Sequence, residues 1–404
     1  MNIGIFTDNY LPQVNGVATS IVILENELRK LGHNVYIFTP SHPKADDDSP
    51  YVYRLPSVPF VFLKDYRVST FYSNKVVHQI KKLKLDIIAS QTEFSMGLFA
   101  KIVSKRLSIP IIHTYHTMYE DYMHYISKGI EVSPVVAQKY SKYFCNHVDA
   151  LVVPTKKTER ILKSYGVTTQ MRIIPTGIDF APFRKENYAP AEVQKLKAVF
   201  HIPENVPVIL FIGRLAKEKS IDVILYAMQT LVKKMPEAIL FIVGDGPSRL
   251  ELAELAKNLG IQDNVIFAGL QPWSTIGKFY QVGDIFVNAS VSETQGLTFA
   301  EAMAASLPVV AKNDESISGL IRDGYNGKLF ETTDELATLL HDMLYDKKYL
   351  AFLGENAVQS VSHLSSEIFG MNSHAYYCDV IDAYKQKHVA KKGLFKKKKN
   401  SSQK

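Results

Sequence analysis

Short, almost wholly apolar runs alternate with helix-period segments along most of the chain, and this alternation restricts the fold more than any other feature. In the first half the runs are 2–7, 34–40, 85–91, 109–116, 150–155 and 171–177. Strands that are apolar at every position need cover on both faces, which a parallel sheet flanked by helices provides. The rhythm restarts at 206–213 and continues through 238–246, 264–269, 284–290, 307–313 and 326–330. The expected fold class is α/β, with two doubly wound parallel-sheet domains. At 404 residues the chain also exceeds what one hydrophobic core usually organises. The expected division is 1–177, a hinge at 178–205 rich in proline and charge, and 206–365. A C-terminal helix at 366–388 can return to the first domain, and a polybasic tail occupies 389–404. Doubly wound domains bind ligands beyond the carboxyl ends of their strands, so a cleft between the two is the expected site.

Composition narrows the setting. Residues 385–404 carry nine lysines and no acid, and removing them takes the net charge from +7 to −2. The basicity therefore belongs to the tail. Such tails bind nucleic acid or anionic membrane, or stay solvated. Leu394 and Phe395 among Lys396, Lys397, Lys398 and Lys399 favour a bilayer, where apolar side chains insert while lysines meet lipid phosphates. The two cysteines, Cys145 and Cys378, lie far apart and match no metal or redox spacing, which fits a reducing compartment. The opening lacks a basic n-region and meets Asp8 early, as a first strand would. No apolar run approaches the roughly 20 residues that span a bilayer. The expected location is cytoplasmic, peripheral on the cytoplasmic face of the membrane.

Within "SVSETQGLTFAEAMAASLPVVA" (290–311), two carboxylates interrupt an alanine-rich helix start, Glu293 ahead of the helix and Glu301 inside it. Gly296 lets the backbone approach a ligand, and the free amides of Leu297 and Thr298 suit an anion such as a diphosphate. Glu293 and Glu301 can then accept hydroxyls on either side of that phosphate, which describes a sugar, a diphosphate and a ribose. The alternative is that Glu293 caps the helix electrostatically and Glu301 faces solvent. Upstream, "FIGRLAKEKSID" (211–222) places Gly213, Arg214 and Lys219 just beyond a strand's carboxyl end. Arg214 can grip phosphate bidentately and Lys219 can act as a point charge, although surface charge is their usual fate.

With "E, seven residues, E" after an apolar strand and "GRL..EK" upstream, the chain resembles the retaining glycosyltransferases of the GT-B architecture. The resemblance runs from "FTDNYLPQVNGVATSI" (6–21) through "YHTMYEDY" (115–122) and "PTGID" (175–179) to the glutamate pair. Within that group the opening and the "HTMYEDY" run look most like diacylglycerol glucosyltransferases. The resemblance implies two Rossmann-like domains, UDP-glucose as donor substrate, diacylglycerol as acceptor, no bound cofactor and no essential metal. It implies that Gly16 brings backbone amides to the diphosphate and that His116 bonds the donor sugar. Arg214 and Lys219 would neutralise the leaving diphosphate, Glu293 would hold sugar hydroxyls and Glu301 the ribose. Asn15-Gly16 stands where many members have paired glycines, and "NDES" (313–316) where many have a glycine-rich turn. In this group a front-face route is commonly proposed, so Glu293 and Glu301 are not read as an acid/base pair.

Three features are set aside. "DDD" (46–48) has the spacing of metal-dependent transferases, yet no strand aims it. "GDG" (244–246) lacks the third glycine of a dinucleotide fingerprint. The histidines offer no pair at helical ligand spacing beside a carboxylate, so no metal is expected. The stretch 61–86 mixes Lys64, Arg67, Lys75, Lys81, Lys82 and Lys84 with aromatics including Phe71 and Tyr72. It reads either as an ordinary amphipathic helix on the first sheet or as a surface that docks on anionic lipid. No nucleic-acid module accompanies the lysines, so no nucleic acid partner is expected. The rival readings are another acceptor, either a glycosylated lipid or a soluble sugar, and a catalytically silent nucleotide-sugar binder.

Overall fold

The computed structural model describes residues 1–404 except 14, 46–48, 61–62, 70–73, 117–133, 292, 294 and 402–404, with backbone alone at 60, 63–66, 134 and 388–401. The chain divides into two compact units, Met1–Gly177 with Ser366–Lys404, and Ile178–Ser365.

In the first unit, β1 (Asn2–Phe6), β2 (Asn34–Pro40) and β3 (Val52–Leu55) are followed by an antiparallel hairpin of β4 (Ser57–Phe60) and β5 (Leu63–Ser69). Then come β6 (Ile87–Ser90), β7 (Ile111–Thr114), β8 (Ala150–Val153) and β9 (Met171–Ile173). The main sheet runs β3-β2-β1-β6-β7-β8-β9, with every pairing parallel. Strand order reverses at β1, where Phe6 pairs with Phe38 on one side and Ser90 on the other. Ile3, Ile5, Ile87 and Ile112 are buried among helices on one face, and Phe6, Phe38 and Ile88 on the other, which is why the strands carry no polar alternation.

The first crossover helix, Gly16–Lys30, starts with Asn15 as N-cap, its side chain accepting from the Ala18 amide at 2.9 Å. Such a cap stabilises a helix by about 1 kcal/mol. It ends at Gly32, whose φ of +79° suits the left-handed turn that releases the chain into β2. The C-terminal helix, Ser366–Ser401, joins this unit through Phe369, Tyr376, Tyr377, Val380 and Ile381, which pack with Ile3, Leu24 and Leu28. It runs on as helix through the segment expected to be a tail. No helix among the described residues is long and apolar enough to cross a membrane.

The second unit holds β10 (Val208–Ile212), β11 (Ile239–Val243), β12 (Val265–Gly269), β13 (Ile285–Asn288), β14 (Val309–Lys312) and β15 (Gly327–Phe330). Their order is β12-β11-β10-β13-β14-β15, again all parallel, with the reversal between β10 and β13. The segment 178–205, expected as a hinge, packs as part of this unit. It forms 3-10 turns at Ala181–Phe183 and Lys185–Asn187 and a helix at Pro190–Val199. Phe183 and Ile202 are buried with Leu210 and Phe279, so apolar anchors hidden in a polar stretch fasten it.

Candidate active site

In the second unit the predicted residues lie beyond the two strands flanking the reversal, where neighbouring loops diverge and leave room for a ligand, and in the first unit they lie beyond β1 and β7.

In the second unit, β10 leads through Gly213 and Arg214 into a 3-10 turn, Lys217–Lys219. On the adjacent strand, β13 leads through Ser290 and Glu293 to Gly296 and the helix Leu297–Ala304. Lys219 Nζ donates to Glu293 Oε1 at 2.6 Å, with both side chains largely buried. The Arg214 guanidinium, more exposed, pairs with Glu218, and Ser290 Oγ donates to the Glu218 carbonyl at 3.2 Å. One acid on each loop thus restrains a cation before any ligand arrives. Gly296 stands at φ +74°, and a Cβ there would come within 2.7 Å of the Phe299 ring. The helix therefore begins abruptly, with the Leu297 and Thr298 amides in its unpaired first turn.

Glu301 does not face solvent, one of its two expected positions. It is 5% exposed, and Tyr280 OH donates to its Oε2 at 2.6 Å. Oε1 accepts no hydrogen bond among the described residues. Burial pushes the carboxyl up to about 7, against the pull of the Tyr280 hydrogen bond. Phe299, Ala300, Ala302 and Met303 bury the rest of the helix against Phe286 and Phe279, so Glu301 is held by packing as well. "GDG" has a structural reason. A Cβ on Gly244, at φ +138°, would fall 1.9 Å from the Gly213 carbonyl oxygen, so the loop after β11 directly supports the loop that carries Arg214 and Lys219.

In the first unit, Gly16 opens the helix behind the Asn15 cap, so the departure at Asn15 keeps a helix start in place. His116 lies two residues past β7, and its Nε2 meets Gln91 Oε1 at 2.8 Å. Burial, with the neighbouring His113, lowers its pKa to about 3, so the imidazole is neutral. Behind it, His113 faces the Glu93 carboxylate at 3.1 Å and the Ser90 carbonyl at 3.1 Å, and both side chains are buried. Asp8, just past β1, accepts from Thr92 Oγ1 at 2.6 Å, from Ser95 Oγ, and from the Met96 amide at 3.2 Å. Burial raises its pKa while those three hydrogen bonds oppose the rise. Asp8 thereby ties the loop after β1 to the N-terminus of the helix Ser95–Leu107, where a carboxylate is favoured.

The residues expected to meet lipid lie apart from both clusters in sequence. Lys75, Lys81, Lys82 and Lys84 are exposed while Val77 and Ile80 of the same helix, Asn74–Leu83, are buried with Phe6 and Phe38. Arg67 donates to Ser57 Oγ and to the Ser57 carbonyl, both at 2.8 Å. Phe71, Tyr72, "DDD" (46–48) and most of "YHTMYEDY" lie outside the described residues, as do the side chains of Lys64, Leu394, Phe395 and Lys396 to Lys399. Tyr280, Gln91, Asp8 and the His113–Glu93 pair escaped the sequence reading. Asp8 and Gln91 left a signal there, each a polar residue at the carboxyl end of an apolar strand.

Two family models cover the chain. "Glycosyltransferase Family 4" matches residues 14–181 and "Glycosyl transferases group 1" matches residues 192–360. An alpha-monoglucosyldiacylglycerol synthase of Streptococcus pneumoniae is 38% identical over 97% of this chain and 89% of its own. The chain belongs to the same glycosyltransferase family as that synthase. A second such relative, the alpha-monoglucosyldiacylglycerol synthase of Acholeplasma laidlawii, is 36% identical over 96% of this chain and 99% of its own. The glycosyltransferase also has the GT-B architecture. HepE of Anabaena, solved in complex with UDP and glucose, superposes at a TM-score of 0.76, 17% identical over 94% of this chain and all of that one. The sucrose-phosphate synthase of Thermosynechococcus elongatus does so at 0.76, 22% identical over 95% of this chain and 99% of that one.

Proposed function

We propose that this glycosyltransferase is a retaining hexosyltransferase that moves glucose from UDP-glucose to diacylglycerol, forming an α-monoglucosyl lipid. The observation that carries the reading is full-length similarity to two proteins named as alpha-monoglucosyldiacylglycerol synthases. The second unit supplies chemistry that fits a nucleotide-sugar donor. Arg214, Lys219, the backbone at Gly213 and the first amides of the helix after Gly296 stabilise the diphosphate as it departs. Glu293 takes sugar hydroxyls and the open Oε1 of Glu301 takes a ribose hydroxyl. In the first unit Gly16 brings amides to the diphosphate and His116 bonds a sugar hydroxyl.

The bond between the anomeric carbon and the diphosphate oxygen breaks as a bond to the diacylglycerol oxygen forms on the same face. The hydroxyl proton passes to the departing diphosphate, so no separate base and no metal is required. The enzyme works as a peripheral protein on the cytoplasmic face, with Lys75, Lys81, Lys82, Lys84 and the lysine-rich C-terminal segment drawn to anionic lipid.

Transfer of label from UDP-glucose and UDP-galactose to diacylglycerol in mixed micelles, with and without anionic lipid, tests this. Labelled glucolipid formed only with anionic lipid is the expected result. Absence of labelled lipid from both donors, in either micelle, overturns the diacylglycerol assignment.

A further inference from the structure

His116 is placed by a strand end, but its ring is oriented by a neighbour. Gln91 follows β6 directly, β6 pairs with β7, and the Gln91 side chain meets His116 Nε2 through its carbonyl oxygen at 2.8 Å. A carbonyl oxygen only accepts, so His116 donates Nε2–H. A neutral imidazole that donates from Nε2 carries its lone pair on Nδ1. No hydrogen bond reaches Nδ1 from the described residues, and Nδ1 is not among the buried, unpartnered atoms.

Gln91 itself is uncomfortable. It is 2% exposed, and its Nε2 is buried with no hydrogen-bond partner among the described residues. Leaving such a donor unmade costs about 1–3 kcal/mol, which an apolar side chain of similar volume would avoid. Reversing the amide would orphan the carbonyl oxygen instead and would present a donor to His116. A residue with a purely packing role has no reason to accept this cost.

We propose that Gln91 is a positioning residue that selects the Nε2–H tautomer of His116 and so makes His116 Nδ1 a hydrogen-bond acceptor for a substrate hydroxyl. The proposal rests on the reading of this chain as a sugar transferase, in which His116 meets a hydroxyl of the donor sugar or of the acceptor. It excludes His116 as a proton donor in the reaction, because the only ring hydrogen is engaged by Gln91.

Two-bond proton–nitrogen spectra of the full chain, with the His116 signals assigned by their loss in His116→Ala, read the tautomer without turnover. The wild type is expected to show the Nε2–H form, Gln91→Glu to keep it because a carboxylate still accepts that hydrogen, and Gln91→Leu to lose its dominance. Gln91→Leu is also expected to lower kcat/KM roughly tenfold, one hydrogen bond's worth, without lowering Tm. A rise confined to the KM of UDP-glucose assigns the hydroxyl to the donor, and one confined to diacylglycerol assigns it to the acceptor. An Nδ1–H tautomer in the wild type overturns the proposal. So does an activity loss in Gln91→Leu that only follows a fall in Tm, or no loss at all. A wild type that glucosylates no lipid but shows the Nε2–H form would remove the substrate reading and leave the tautomer assignment standing.

Discussion

Tyr280 holds one oxygen of Glu301, at 2.6 Å, inside a unit that leaves the other oxygen open. The carboxyl keeps its proton up to about 7, against an ordinary 4.5, because burial outweighs the tyrosine hydrogen bond. The folded protein therefore holds that proton more tightly than the unfolded chain does. Stability from this group is complete below about 4.5, falls as pH rises toward 7, and by pH 8 the loss is about 3 kcal/mol. Glu301→Gln does not titrate. It should unfold at higher urea than the wild type at pH 8 and at a similar concentration near pH 4.5. Equal midpoints at pH 8 would refute the assignment.

On the proposed function, the same contact also bears on donor binding. If ionised Glu301 accepts the ribose hydroxyl, calorimetric affinity for UDP-glucose should rise with pH through neutrality. Tyr280→Phe removes the hydrogen bond that lowers the Glu301 pKa, so the rise should move to higher pH. A Tyr280→Phe curve that is weaker overall but unmoved along the pH axis would mean the phenol only packs.

Lys219 and Glu293 are paired at 2.6 Å with little solvent around them, so screening leaves the pair a real coupling. A double-mutant cycle of Lys219→Met and Glu293→Gln should give a stability coupling of about 1–3 kcal/mol without ligand. Lys219→Met should also reduce kcat by about 100-fold, the scale of one lost transition-state charge contact. Additive stability effects would show the pair to be incidental.

Gly244→Ala should be among the costlier glycine changes. Its added carbon would sit 1.9 Å from the Gly213 carbonyl oxygen, so the loops after β10 and β11 must part. A loss of about 2 kcal/mol or more in unfolding free energy is expected, together with weaker UDP-glucose binding. Stability lost with donor affinity intact would mean that the Arg214–Lys219 loop does not depend on this support.

Lys81→Glu with Lys82→Glu should reduce sedimentation with vesicles of anionic lipid, most at low salt, and leave binding to neutral vesicles unchanged. Both lysines are exposed on a helix whose buried face is intact, so folding should tolerate the change. Unaltered sedimentation would remove this helix from the membrane surface.

Much of the architecture was legible because parallel strands leave an unmistakable trace. Each of the twelve expected apolar runs contains one observed strand, and Gly32 ends its helix where expected. β3 and the hairpin were missed because they lie at the rim of the sheet or outside it, where polar residues such as Arg54 and Arg67 interrupt the pattern. The segment 178–205 misled for a related reason, since its packing rests on a few isolated anchors such as Phe183. The carboxylates and cations of the second unit were visible as motifs. Their partners were not, because Tyr280 and Gln91 become neighbours of Glu301 and His116 only when separate strands and helices meet.

Residues 366–401 complete a unit that began at residue 1, with the whole of Ile178–Ser365 between. On the ribosome the second unit can therefore close before the first has its final helix. Until then Ile3, Leu24 and Leu28 lack the cover of Phe369, Tyr376 and Tyr377. Apolar surface exposed in this way favours association between nascent chains. A helix made only after Ile178–Ser365 thus decides whether Met1–Gly177 can persist as a folding intermediate without associating, and a nonsense mutation near residue 365 would damage Met1–Gly177 more than Ile178–Ser365.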